Sequence, residues 1–254
     1  MPQPVFVRAD DTRVFVRELD RPYPLIVRGR GVWLEDRDGT TYLDAISGGA
    51  MVTSLGHGPN PAIAAAARQA EQVSFLYNQQ FTSPAQEALA DALCGVAPPG
   101  FEHVHFTSGG AEANETALRL ARAYHVERGE PERTRVISPA QAYHGPTMAT
   151  LGLTGRPGLQ APYDPFIAPQ LHIPPASWRF DSTGAEALEA LDGAIDAAGP
   201  RGVAAFFIEP VSAAALPAYS PPEEFWRGLD ARRAEHGFLV CLDEVVTGLG
   251  RTGT

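Results

Sequence analysis

Six consecutive apolar residues, Val203-Ala204-Ala205-Phe206-Phe207-Ile208, run directly into Glu209-Pro210. A strand with no polar side must be covered on both faces, which is the situation of strands in helix-covered parallel sheets. Phe238 to Leu242 is a second such run and Arg135 to Ser138 a shorter third. Between them, Leu188, Leu191 and Ile195 mark the core side of a helix over Gly184 to Ala198, and Phe225 to His236 reads as another helix. Buried strands interleaved with amphipathic helices predict an α/β domain with a mostly parallel sheet and helices on both faces.

The stretch Phe106-Thr107-Ser108-Gly109-Gly110-Ala111-Glu112-Ala113-Asn114-Glu115 adds a candidate site. Val104 to Thr107 reads as a strand, and Ala113, Ala117, Leu120, Ala121 and Tyr124 predict one face of a helix that follows it. Strand, glycine turn and helix together suit an anion, because glycines admit close backbone approach and the first helical turn leaves N–H groups unpaired. The same arrangement also serves plain packing of a helix on a sheet, so its meaning depends on what else converges there.

The N-terminal part is different in kind. Residues 3–45 read as short strands and turns, including Val14-Phe15-Val16 and Leu25-Ile26-Val27, with a hairpin signal at Asp38-Gly39. Ser47 to His57 is rich in small residues and suits either a cavity lining or a flexible linker. We expect residues 1–57 to be a small N-terminal lobe and 58–254 to be part of a larger domain. Asn60-Pro61 and Pro84 open two helices, with Ile63, Ala66, Ala67, Ala70 and Val73 inward on the first and Ala85, Leu89, Ala92 and Leu93 on the second. Leu76 to Ser83, between them, is an aromatic and amide-rich loop.

Composition excludes several functions. A net charge of -10 argues against nucleic acid and anionic membrane surfaces. No apolar run approaches the roughly 20 residues that span a bilayer, and Met1-Pro2-Gln3-Pro4 does not resemble a secretory leader, so a cytoplasmic location is expected. Cys94 and Cys241 read as reduced core residues, neither a disulfide nor a metal pair. All 20 basic residues are arginine. Without lysine, no side-chain amine of this chain can form a Schiff base.

Ligands of open α/β sheets collect at the carboxyl ends of the strands. Asp243 follows Phe238 to Leu242 and requires a cation or proton donor there, whether a protonated heterocycle or an arginine such as Arg251. Glu209 follows Val203 to Ile208 and either hydrogen-bonds within a site or holds an arginine. Tyr143-His144-Gly145 offers an aromatic ring that could stack on a flat ligand or simply pack.

Taken in order, Leu55-Gly56-His57-Gly58, Phe106 to Asn114, Tyr143-His144-Gly145, Ile208-Glu209-Pro210 and Asp243 to Gly253 resemble the class III aminotransferases, pyridoxal-phosphate enzymes of fold type I. The resemblance spans nearly the whole chain. It implies that Ser108, Gly109, Gly110 and Ala111 surround the cofactor phosphate, with the Gly110 and Ala111 amides holding it. Tyr143 would stack on one face of the pyridine ring, with His144 beside it, and Val245 would press on the other. Asp243 would pair with the ring N–H, making the ring an electron sink, and Glu209 would lie on the substrate side. Gly49, Ala50 and Tyr77 would line the substrate pocket or an interface; no metal is implied.

Two departures qualify the resemblance. Family members often carry a hydroxyl residue where Gly109 or Ala111 stands. In addition, the Schiff-base lysine of such enzymes lies some tens of residues beyond the Asp243 block. The expectation is an N-terminal subunit of a split enzyme, incomplete in the large domain, whose partner chain carries the lysine, two of each forming a heterotetramer that acts on a small amine and a keto acid. A truncated fragment and a non-catalytic cofactor-binding subunit are the alternatives.

Overall fold

The Asp38-Gly39 signal corresponds to a tight hairpin in the computed structural model, which describes residues 6–177, 181–199 and 201–253. The chain divides into two compact units, at Val104 and His105. In the first, β1 (Phe6–Val7) pairs antiparallel with β2 (Tyr23–Pro24), and β3 (Ile26–Arg30), β4 (Trp33–Asp36) and β5 (Thr41–Leu43) form an antiparallel meander. Asp36 closes the β4–β5 turn: its buried carboxylate accepts the N–H groups of Asp38 and Thr40 and the Tyr42 hydroxyl. Val14-Phe15-Val16 is not the expected strand. Phe15 is 98% exposed and no described strand pairs with the segment, so its apolar character finds no sheet to join.

α1 (Pro61–Gln72) and α2 (Pro84–Val96) start as their sequences require. Asn60 and Ser83 accept the N–H groups of Ile63 and Gln86, and proline holds the first position of each helix. Neither helix has a buried residue. The faces that periodicity marks as inward are therefore not core faces here, because amphipathicity specifies a face without supplying the layer that covers it.

The second unit closes its own core. It contains α3 (Gly110–Glu127), β6 (Arg135–Pro139), α4 (Met148–Leu153), α5 (Pro157–Gln160), β7 (Leu171–Ile173), α6 (Ala185–Ala198), β8 (Val203–Ile208), α7 (Glu223–His236) and β9 (Leu239–Leu242). The strands form one parallel sheet in the order β7-β6-β8-β9. Every residue of β8 is buried. Phe206 and Ile208 point into a cluster with Leu191 and Ile195 of α6 and Phe225 and Leu229 of α7, while Ala205 and Phe207 enter the opposite cluster with Ala121 of α3 and Leu153 of α4. Alternation along a strand thus feeds two separate layers.

Three expectations change here. Val104 to Thr107 is not a strand; no described strand pairs with it, and a short apolar run becomes a strand only through its ladder. The core face of α3 is rotated from the expected one: Asn114, Ala121 and His125 are buried, whereas Leu120 and Tyr124 are exposed. Two polar side chains hold core positions because each finds partners; His125 Nε2 lies 2.8 Å from the Ala204 carbonyl. Finally, Cys94 and Cys241 are free but half-buried, not fully in the core. No helix among the described residues is long and apolar enough to cross a membrane.

Candidate active site

The carboxyl ends of β6, β8 and β9 and the start of α3 meet through a chain of hydrogen bonds. Asp243 follows β9, and its N–H donates to the Ile208 carbonyl at 2.8 Å, which fixes the end of β9 against β8. Oδ2 of Asp243 accepts from Asn114 Nδ2 at 2.7 Å and faces His144 Nδ1 at 2.8 Å; Oδ1 accepts the Val245 N–H at 3.1 Å. Burial pushes this carboxyl upward, but the bonds from His144, Asn114 and Val245 outweigh it and hold Asp243 below the usual carboxylate range. The buried group is an anion with donors already around it.

Glu209, at the end of β8, behaves oppositely. Its Oε2 accepts the Tyr143 N–H at 3.2 Å and the Ser212 hydroxyl at 3.1 Å, yet burial dominates and raises its pKa. Burial, with the Glu209 charge, pushes the nearby Tyr219 hydroxyl up to about 12. One bond carries Glu209 directly to the backbone of the half-buried Tyr143.

His144 is buried, with its N–H donated to Thr154 Oγ1 at 3.0 Å and its ring edge-on to Phe207 at 6.0 Å between centroids. Gly145 has φ +130, and a Cβ there would lie 2.7 Å from the Cβ of Ala111, so the turn can pass the start of α3 only as glycine. Gly110 is demanded by close approach: a Cβ would lie 2.7 Å from Cγ2 of Val245. Val245 itself remains half exposed beside the helix start.

At that helix start the N–H groups of Gly110, Ala111 and Glu112 have no hydrogen-bond partner among the described residues, and Ala113 is the first to bond back, to the Gly109 carbonyl. Ser108 differs from its neighbours. Both its N–H and its hydroxyl donate to Glu112, which turns back as a local cap. Ser108 is thereby taken out of the set, and the open N–H groups among the described residues begin at Gly109.

The structure thus brings Gly110, Ala111, Tyr143, His144, Glu209, Asp243 and Val245 into one connected region, with Ser108 and Gly109 at its border. The remaining expected residues belong to the first unit. Gly49 and Ala50 lie in the turn Ser47–Met51, which is clamped by Asp44 accepting the Gly48 N–H at 2.7 Å and facing His57 Nε2 at 2.9 Å. The side chain of Ala50 lies outside the described residues. Tyr77 is half exposed, and its carbonyl accepts from Gln80 and Phe81.

Sequence reasoning missed three supporting residues, Asn114, Thr154 and Ser212. Nothing local distinguishes them: Asn114 sits among Glu112, Glu115 and Thr116 on the same helix, and its partners lie far along the chain. A groove of about 950 Å³ lined by Leu118, Arg122, Val126, Val136 and Ala204 opens at the amino ends of the strands. It contains none of the paired carboxylates, so size is a poor guide to the chemistry here.

These features define a parallel-sheet α/β domain with unpaired N–H groups at a helix start, among the described residues, and a buried carboxylate at the strand ends. Comparison supplies the family. The profile of the family described as "Aminotransferase class-III" matches residues 15–254. A probable aminotransferase of Mycobacterium tuberculosis is 36% identical over 91% of this chain and 51% of its own length, and a putrescine–pyruvate aminotransferase of Pseudomonas aeruginosa is 35% identical over 90% and 52%. Among solved structures, a transaminase from the marine bacterium Virgibacillus superposes with a TM-score of 0.88 at 31% identity, covering 94% of this chain and 55% of that one. An omega transaminase of Pseudomonas jessenii, solved with PMP, gives 0.86 at 29% identity over 92% and 53%. The chain belongs to the class III aminotransferase family, whose members are pyridoxal-phosphate enzymes of fold type I. It spans about half the length of the curated relatives it matches.

Proposed function

We propose that this chain forms the N-terminal half of a pyridoxal-phosphate-dependent aminotransferase site and that a second polypeptide supplies the Schiff-base lysine, two copies of each assembling together. The residues fit the cofactor. The unpaired N–H groups of Gly110, Ala111 and Glu112 suit a phosphate dianion. Tyr143 and Val245 suit the two faces of a flat ring, and the anionic Asp243 suits a protonated ring nitrogen. When bound, the cofactor supplies the electron sink that lets an amine lose its α-proton. The chain's own residues bind the phosphate, sandwich the ring and hold the charge at Asp243; Glu209 stands beside the substrate side, next to Tyr143.

The single observation that carries the reading of an outside amine is compositional: these 254 residues contain no lysine. Proton transfer and covalent attachment then fall to an amine from outside these residues. The reaction proposed is ping-pong transfer of an amino group from a primary amine or ω-amino acid to a keto acid such as pyruvate or 2-oxoglutarate, in a soluble, cytoplasmic enzyme.

The test mixes the purified chain with a polypeptide carrying the C-terminal half of the family. Pyridoxal phosphate should acquire a lysine-linked absorption band, and transamination should appear, only in the mixture. Transamination by this chain alone would overturn the proposal. Asp243→Ala in the assembled pair should abolish turnover; unchanged turnover would leave only a non-catalytic binding role.

A further inference from the structure

Asn114 is one helical turn beyond Gly110, buried, and placed so that its amide serves two elements at once. Nδ2 donates to the His144 carbonyl at 2.9 Å and to Asp243 Oδ2 at 2.7 Å. An amide nitrogen carries two hydrogens, so both donors are used. His144 Nδ1 reaches the same Oδ2 at 2.8 Å, whereas its Nε2 is buried with no partner among the described residues. A proton on Nε2 would be an unsatisfied buried donor, so the ring proton belongs on Nδ1. Oδ2 then receives two donors, which fills its two lone pairs, while Oδ1 receives only the Val245 N–H and keeps one lone pair open.

We propose that Asn114 is a positioning residue, which with His144 saturates Oδ2 of Asp243 and so presents Oδ1 to the ring nitrogen at a fixed distance from the N–H groups of Gly110 and Ala111. This rests on the cofactor reading given above and deepens it. Asn114 and Asp243 lie 129 residues apart in the chain, and Asn114 is on the same helix as the cradle. One side chain thereby sets the spacing between the two ends of the ligand. His144 is likewise a positioning residue, acting through Asp243. The charged and titratable groups around this carboxylate are His144 and Glu209, with His172 next to His144.

Two measurements test the idea. Isotope-edited NMR of the unliganded protein should find His144 protonated at Nδ1, with Asn114→Ala moving the Asp243 titration midpoint upward in a variant whose circular dichroism matches wild type. An Nε2–H tautomer in wild type, which needs no variant, or an unmoved midpoint would overturn the proposal. The second measurement is non-covalent binding of pyridoxamine 5'-phosphate, which requires no lysine. Asn114→Ala should weaken it about tenfold, the scale of a lost hydrogen bond to a charged group, while competition by inorganic phosphate is unchanged. Equal affinity in wild type and variant defeats the positioning role and leaves the cofactor reading intact. Wild-type chain, assayed with its complementary half, that binds pyridoxamine no less tightly than its phosphate ester defeats the cofactor reading instead, and the NMR result then still decides what Asn114 does to Asp243.

Discussion

The two units of this chain treat apolar residues in opposite ways. In the second, helices lie on both faces of the parallel sheet, so Phe206 and Phe207 are wholly buried from opposite sides. In the first, the helices are well capped and amphipathic, yet among the described residues the only fully buried one is Asp36, a carboxylate serving a turn. Helix signals and core formation are therefore separable properties. Caps and periodicity make a helix possible; a covering layer makes it stabilise anything.

The sharpest way to break this contrast is to remove bulk from each unit. Phe206→Ala should cost about 3–5 kcal/mol, the usual penalty for emptying a well-packed aromatic site. Ile63→Ala on α1, where the side chain is 59% exposed, should change stability by less than about 0.5 kcal/mol. Urea unfolding of both variants decides the matter. Comparable losses would mean that the first unit holds a core that its burial does not reveal.

A smaller effect is expected where the second unit is packed for function. Gly110→Ala places a methyl against Val245 and should cost about 1–3 kcal/mol, as overpacking does. Val245→Ala in the same chain should recover much of that loss, because it removes the atoms that clash. A double-mutant cycle measures the coupling; strictly additive effects would show that the two residues do not touch.

How much of this was legible beforehand follows the same division. Val203 to Ile208 was readable because a strand buried on both faces leaves no ambiguity of pattern. Asp243 and Glu209 were readable as candidates because each ends such a run. The face of α3 was misread, since hydrophobicity counting assigns Asn114 and His125 to solvent and cannot see partners 129 and 79 residues away. Val104 to Thr107 and Val14 to Val16 were misread for a related reason: strand formation depends on a neighbour, which local sequence does not specify. Glu112 capping Ser108 was not anticipated either, and it takes the Ser108 N–H and hydroxyl out of the set of open donors.

The finest comparison lies within the site, between two carboxylates at the ends of adjacent strands. Asp243 has a depressed pKa, so the stability it contributes is present above its ordinary value of 3.8 and is lost as pH falls through its folded value. Glu209 has a raised pKa, so its contribution is complete below its ordinary value of 4.5 and is lost as pH rises through its folded value. The two therefore bend the stability curve in opposite directions, and wild type should show a shallow maximum between the two limbs. Glu209→Gln keeps acceptors for the Tyr143 N–H and the Ser212 hydroxyl but cannot ionise, so urea midpoints should stop declining on the high-pH side while the acid limb persists. Asp243→Asn should lower stability at neutral pH, because whichever way its amide is turned the NH2 meets at least one donor, and should flatten the acid limb. If Glu209→Gln leaves the high-pH slope unchanged, burial of that carboxylate is not what loads the end of β8, and the opposition between the two strand ends fails.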